Sequence, residues 1–456
     1  MARNRSYEMD LCSGAILPKL LLFALPMMFS SILQLLFNAA DVIVVGRFAG
    51  DISLAAVGST TAIVNLMVTM FIGLSVGANV TAARSYGAND YESLRQTVHT
   101  SILLSLISGV VLLLLGVFSA EPILIWMQSP ERVRGLATLY LRIYFLGMPA
   151  LLVYNFGAAL LRAVGDTRRP LAFLLSSGVV NVVLNLIFVI VFHLDVAGVA
   201  LATIASEYLS AFLVVRCLMR EQGGVHLNLR HLRLYKPALK QILQVGLPAG
   251  LQNMLFDFSN VVIQSTINSF GEIVVAGNSA ASNLDSFIYA SMNSFSQANV
   301  SFISQNMGAE RYDRIRPILL RTLGCVTVLG SMLGGLVIFF GPPLLGIYSD
   351  NPAVISAGMI RLWIMCLPYA MCGLQDVMAG SLRGMGYAIT PTIVSLMGAC
   401  VLRLILIATI LPLPQFHSIE TVYFLYPITW TLTFIAQTIC FMVAMRRLKN
   451  RTMIST

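Results

Sequence analysis

"GANDYESLR" at residues 87–95 returns as "GAERYDRIR" at 308–316, a shift of 221 positions. The two copies share their glycine, alanine, tyrosine and final arginine. The same shift lays "RFAGDISLAAVG" (47–58) on "NSFGEIVVAGNS" (268–279) and "LLRAVGDTRRP" (160–170) on "SLRGMGYAITP" (381–391). The last pair matches Arg162 with Arg383, Gly165 with Gly386 and Pro170 with Pro391, and "ALP" (24–26) meets "GLP" (246–248) within a residue. Likeness among greasy segments alone would be weak evidence, but these matches include polar, Gly- and Pro-containing loops. The chain is an internal duplication.

Between the repeated loops the sequence is oil. Of 456 residues, 57% are hydrophobic and 11% charged, with a mean hydropathy of +0.82. A soluble domain of this size would carry about 25% charged residues. About twelve apolar stretches, the first near 16–45 and the last near 420–445, are long enough to cross a bilayer as helices. Backbone groups in lipid must be satisfied internally, and these lengths select helices over a barrel. The predicted fold is all-α and polytopic, with twelve transmembrane helices in two pseudo-symmetric six-helix lobes. An even number of spans per copy places the repeats parallel, related by an axis along the membrane normal with a chamber between them. Residues 1–220 form the N-terminal lobe, 221–240 a linker and 241–456 the C-terminal lobe. The linker's Gly223-Gly224 pair and its alternating Leu/Arg pattern predict a connector along the cytoplasmic surface. The basic start lacks a short apolar core with a cleavage site, so it is expected to be retained.

The net charge is +9. Most of the cationic residues fall in alternate loops and at the two termini, which predicts that both termini are cytoplasmic. A basic face beside anionic membrane lipids explains the charge without any nucleic acid. The seven cysteines are scattered without a CxxC, and the five histidines are isolated, against a disulfide framework or metal cluster. No DDxxD pair, HExxH, GxSxG or Walker loop is present, so neither an enzyme nor a bound cofactor is expected.

Five carboxylates nevertheless lie in the spans: Asp41, Glu207, Asp257, Asp285 and Asp376. Placing one near the bilayer centre costs on the order of 3 kcal/mol or more, so each must face a cavity, pair with a cation or take up a proton. Asp41 lies in "FNAADVIVVGRFAGD" (37–51) and shares a helix face with Gln34 and Asn38. Asn181 and Asn185 share a face of the fifth span, and a polar pocket completed by Asn155 and Thr203 follows if these helices meet. The alternative is a helix cap or a salt bridge from Asp41 to Arg47. In the second half, Asn253, Asp257, Asn260 and Gln264 form one face, and Asp285, Tyr289, Asn293 and Gln297 another. Asp376 replaces Asn155 under the shift, while Arg403, mid-span, requires a carboxylate, with Asp376 or Asp285 the candidates and Asp257 the third. This second cluster is either a network holding helices together or a second ion or substrate site. Glu207, four residues past Thr203, reads as a conformational latch. Met148, Met254 and Met292 either line a deformable chamber or fill the core, and Pro26 is placed to kink the first helix.

"NAADVIVVGRFAG" (38–50), "LRAVGDTRRP" (161–170), "LRGMG" (382–386) and "GVALAT" (198–203) resemble the multidrug and toxic compound extrusion family (MATE), of the multidrug/oligosaccharidyl-lipid/polysaccharide exporter superfamily. The likeness covers nearly the whole chain. It implies two six-helix lobes in a V shape and a plasma-membrane antiporter. Such a carrier exports organic cations, drugs among them, as a single chain in exchange for inward H+ or Na+. It also implies an N-lobe cation site at Asp41, Asn155, Asn181, Asn185 and Thr203, with Na+ as one occupant of Asp41, Asn181, Asn185 and Thr203. Some relatives carry a second Asp where this chain has Asn185, which implies weaker Na+ binding here. The C-lobe acids of NorM-like members fall on Phe256 and Cys372, so that site does not carry over. The competing reading is a flippase of lipid-linked oligosaccharide or cell-wall precursor, whose pyrophosphate needs several in-span cations; only Arg142, Arg361 and Arg403 are available.

Overall fold

A computed structural model describes residues 7–127 and 129–455, the side chains of 51 and 451–455 excepted. Among the described residues there is no β-strand. In chain order the long helices are α1 (Ile16–Ala49), α2 (Asp51–Gly87), α3 (Tyr91–Trp126), α4 (Glu131–Leu146 and Met148–Ala163), α5 (Arg168–Val191) and α6 (Asp195–Arg220). The second copy gives α7 (Lys236–Asn268), α8 (Glu272–Gly308), α9 (Tyr312–Phe339), α10 (Pro352–Cys366 and Ala370–Gly384), α11 (Ile389–Ile410) and α12 (Ile419–Ser455). Eight of these are long and apolar enough to cross a membrane. α4 and α10 each become one span when their two pieces, bent by 45°, are joined. α7 and α8 are as long, 33 and 37 residues, but stripes of Asn, Asp, Gln and Ser dilute their hydropathy. Ten spans and these two further helices thus make up the twelve long helices of the described residues.

The duplication is visible in the backbone itself. Three left-handed positions recur 221 residues apart: Gly50 (φ 87°) with Gly271 (96°), Asn89 (55°) with Glu310 (57°), and Gly165 (94°) with Gly386 (94°). Each marks a turn between consecutive helices, where the chain must reverse sharply and a positive φ is needed. The bends of α4 and α10 also correspond. Pro149 opens the second piece of α4 and Pro368 precedes that of α10, each removing a helical N–H.

The chain divides into two compact units. One comprises Phe29–Gly250 with the described residues before Leu11; the other comprises Leu11–Met28 and the described residues from Leu251 onward. The first helix of each copy is therefore shared between units just past its proline, Pro26 or Pro248, rather than divided between residues 220 and 241. Glycine explains one half of this exchange. A Cβ on Gly73 of α2 would lie 2.3 Å from Gly250 Cα, and one on Gly77 would lie 2.2 Å from the Ile242 carbonyl oxygen, so α2 and the start of α7 touch backbone to backbone. The other half rests on side chains. Phe23 packs edge-to-face on Phe302 at 5.7 Å, and Asn306 Nδ2 donates to the Leu11 carbonyl at 3.1 Å. Valine at Gly77 is expected to force α2 and α7 apart and lower the melting temperature of the purified protein by several degrees, the consequence of about 1–3 kcal/mol of overpacking. An unchanged melting curve would mean the close approach is not needed.

The linker is pinned rather than loose. Val225 and Leu227 are buried, the Asn228 N–H donates to His99 Nε2 at 3.1 Å, and the Tyr235 N–H donates to Thr100 Oγ1 at 3.1 Å. The charged residues of "LRAVGDTRRP" have a related task. Asp166 accepts from the backbone N–H groups of Arg168 and Arg169 at 3.1 and 3.2 Å, while the Arg169 guanidinium bridges Asp166 and Glu221. That triad fastens the α4–α5 turn to the end of α6.

Candidate functional site

In the first unit, α1, α5 and α6 bring their polar residues to one point. Asn185 Nδ2 donates to Asp41 Oδ1 and also to Asn181 Oδ1 at 3.3 Å. Thr203 Oγ1 reaches Asp41 Oδ2 at 3.4 Å and the Val199 carbonyl at 3.0 Å. Asn181 and Asn185 are buried, and Asp41 is half-buried. Both α1 and α5 change to π-helical turns just beyond these residues, at Val45–Ala49 and Ile187–Val191, a local widening common beside functional positions. Arg47 is exposed and enters no ion pair among the described residues. The carboxylate of Asp41 is thus held by neutral donors, not by a cation.

One acceptor is left over. Asn185 spends its amide N–H groups on Asp41 and Asn181, so its Oδ1 is buried with no partner among the described residues. Together with Asp41, Asn181 and Thr203 it supplies the all-oxygen donor set that a hard cation takes. Nearby, Tyr140 and Tyr144 stack at 5.8 Å, within electrostatic range of both Asp41 and Glu207. Glu207 is pressed against the α4 bend: a Cβ on Gly147 would lie 2.2 Å from its Oε2, and that oxygen is buried without a hydrogen-bond partner among the described residues.

The other expected members do not join. Asn155 turns its Nδ2 to the Leu151 carbonyl of its own helix at 2.8 Å. Gln34 and Asn38 are exposed and make no hydrogen bond to Asp41. Met148 and Met292 are fully buried. The Met292 sulfur fills the space beside Gly330 and Gly373, so both residues are core rather than chamber lining. α1 runs through Pro26 without a break in helical structure. The two tyrosines carried no signal in sequence, because nothing in helix periodicity aims α4 at α1.

The second unit contains a different arrangement. Arg361 Nη2 pairs with Asp285 Oδ2 at 2.6 Å, and its Nη1 donates to Asn278 Oδ1 at 2.6 Å. Asn278 Oδ1 also accepts from the Tyr423 hydroxyl at 3.2 Å, and its Nδ2 donates to Gln264 Oε1 at 3.2 Å. Asp376 is within electrostatic range of the Arg383 guanidinium and within reach of the Tyr289 hydroxyl, and Asn293 Nδ2 reaches the same hydroxyl at 3.5 Å. Asp257 is half-buried on α7, Phe256 is also half-buried and Cys372 is buried, while Asn253 and Asn260 are exposed. Arg403 overturns an expectation: it pairs with neither Asp376, Asp285 nor Asp257. Its Nε and Nη2 both donate to Thr429 Oγ1 at 3.1 and 2.9 Å, and its guanidinium lies 3.9 Å over the Tyr426 ring. A hydroxyl and an aromatic face substitute for the anion. Asp285 is spoken for by Arg361.

A model of the MatE family matches residues 26–187 and again 248–409. The chain belongs to the MatE family. The two matches are the two copies found by self-comparison. Among curated MATE relatives, a probable multidrug resistance protein of Bacillus subtilis (YpnP) is 29% identical, the alignment covering 86% of this chain and 88% of that one. The multidrug export protein MepA of Staphylococcus saprophyticus is 23% identical, covering 93% and 91%. A solved multidrug resistance MATE transporter in an outward-facing conformation superposes with a TM-score of 0.90 at 22% identity, covering 96% of this chain and 98% of that one. The fold is therefore that of MATE transporters, and the protein is a multi-pass membrane transporter rather than an enzyme.

Proposed function

We propose that this MATE protein is a secondary antiporter that exports organic cations, drugs included, in exchange for inward H+ or Na+ bound at the Asp41 cluster. One observation supports this above the others: Asp41 sits in an apolar helix, hydrogen-bonded by Asn185 and Thr203 and paired with no Lys or Arg. A carboxylate without a resident cation attracts one, and a neutralised carboxylate no longer does. Binding of the coupling ion from outside then releases the organic cation, and loss of that ion inward resets the carrier. Each charge that enters in excess of the charge exported supplies about 2.3 kcal/mol per 100 mV, enough to sustain a roughly fiftyfold gradient. The names of the relatives, multidrug resistance and multidrug export proteins, support the substrate class. The cationic loops support an orientation with both termini in the cytoplasm of a plasma-membrane protein, and a single chain holds the whole cluster. A flippase is disfavoured because the arginines it would need are engaged, Arg142 by Glu121, Arg361 by Asp285 and Arg403 by Thr429.

The test is efflux of a fluorescent cationic dye from proteoliposomes under a pH gradient alone and a Na+ gradient alone. Efflux driven by either gradient is the expected result; efflux under neither overturns the antiport reading. Asn185→Asp adds a second carboxylate to the oxygen set and is expected to raise the share of efflux that depends on Na+.

A further inference from the structure

In the second unit, away from the charged network, α9, α12 and the second piece of α10 enclose a groove of about 610 Å³. Its walls are apolar: Leu319 and Leu323 on α9, Phe434, Phe441 and Met442 on α12, and Met378 beneath. One end is cationic, formed by Arg316 at the start of α9 and by Arg446 and Lys449 near the end of α12. Arg316 and Arg446 are exposed and make no hydrogen bond or ion pair among the described residues. The rim's acidic residue, Asp313, is bound by Arg311 at 3.2 Å. The sides are open, since Leu320 and Met442 are about half exposed. Charge at one end and oil along the length is the shape of an amphiphile with an anionic head.

We propose that this groove binds an anionic glycerophospholipid, its phosphate on Arg316, Arg446 and Lys449 and its acyl chains along α9 and α12. The exposed guanidiniums of Arg316 and Arg446, with the rim acid Asp313 bound by Arg311, repel the organic cations attributed to the Asp41 cluster, so the groove is not a second substrate site. Apolar walls that lie along two membrane-spanning helices exclude a soluble acidic peptide, which would leave its backbone unsatisfied there. Cationic pockets between transmembrane helices at the basic membrane face are where anionic lipid head groups bind. The volume is in the range of specific small-molecule sites.

The full-length protein, purified in detergent and offered equal phosphatidylglycerol and phosphatidylcholine, would be examined by native mass spectrometry for retained lipid. Preferential retention of phosphatidylglycerol is expected. R316Q/R446Q should weaken that retention about 30-fold, about fivefold per cation removed, and leave phosphatidylcholine unchanged. Both side chains are exposed, so folding is not at stake, and Arg132→Gln serves as the control that changes nothing. Leu323→Trp, which fills the groove, should reduce retention of both lipids. Undiminished phosphatidylglycerol in the double variant would overturn the proposal. So would full displacement by excess inorganic phosphate, which would reveal a site for a bare anion.

Discussion

Asp41→Asn is expected to reduce dye efflux to the level of protein-free liposomes while leaving expression and size-exclusion behaviour as in the parent protein. The substitution is nearly isosteric. Asn185 Nδ2 and Thr203 Oγ1 both donate toward position 41, and the new amide oxygen accepts one of them. Its NH2 donates to Thr203 Oγ1, whose single proton then goes to the Val199 carbonyl at 3.0 Å, so no polar group is stranded. What disappears is the charge, and with it the attraction that loads either the coupling ion or the organic cation. Thr203→Val, by contrast, removes one weak donor at 3.4 Å and should slow efflux without ending it. Parental efflux from D41N would reject the assignment of the coupling site.

The second large effect concerns stability. Asp285→Ala strands Arg361, a buried guanidinium, beside a vacated site, and removing one partner of a buried pair costs about 3–5 kcal/mol. The variant is expected to unfold well below the parent protein in detergent. D285L/R361M removes both charges together and should recover most of that loss, since an apolar pair of similar volume replaces a desolvated ionic one. Asn278 loses one of its partners in this variant but keeps Tyr423 and Gln264. If the pair only holds α8 against α10, the double variant also transports. A stable double variant with no efflux would instead make the network part of the transport machinery, and measuring melting and efflux on the same preparation separates the outcomes.

Helix periodicity carried the candidate site as far as one helix at a time. It put Asn181 beside Asn185, and it put Gln34 and Asn38 on the face of Asp41, because residues three, four and seven apart share a side. It could not say which neighbour covers that face. α5 and α6 reach Asp41 near the end of α1, so Asn185 and Thr203 close on the carboxylate while Asn38 and Gln34, one and two turns earlier, stay exposed. Asn155 occupied a family position, yet its amide found the Leu151 carbonyl within its own helix. Arg403 failed for a related reason. That a buried guanidinium needs compensation was sound; that the compensation must be a carboxylate was not, because Thr429 and Tyr426 arrive from α12.

The duplication, the helical membrane class and an acid buried in the first helix were legible in the residues alone. These follow from a 221-residue shift, from hydropathy and from the rarity of charge in oil, all of which are local or self-referential. That part of each copy's first helix packs with the other unit, and which donors meet each buried charge, came from the packing of the helices. Backbone contact at Gly73, Gly77, Gly246 and Gly250 depends on the absence of side chains at four distant positions simultaneously, and a hydrogen bond across helices depends on their rotation. Neither quantity is written in the periodicity of any one segment.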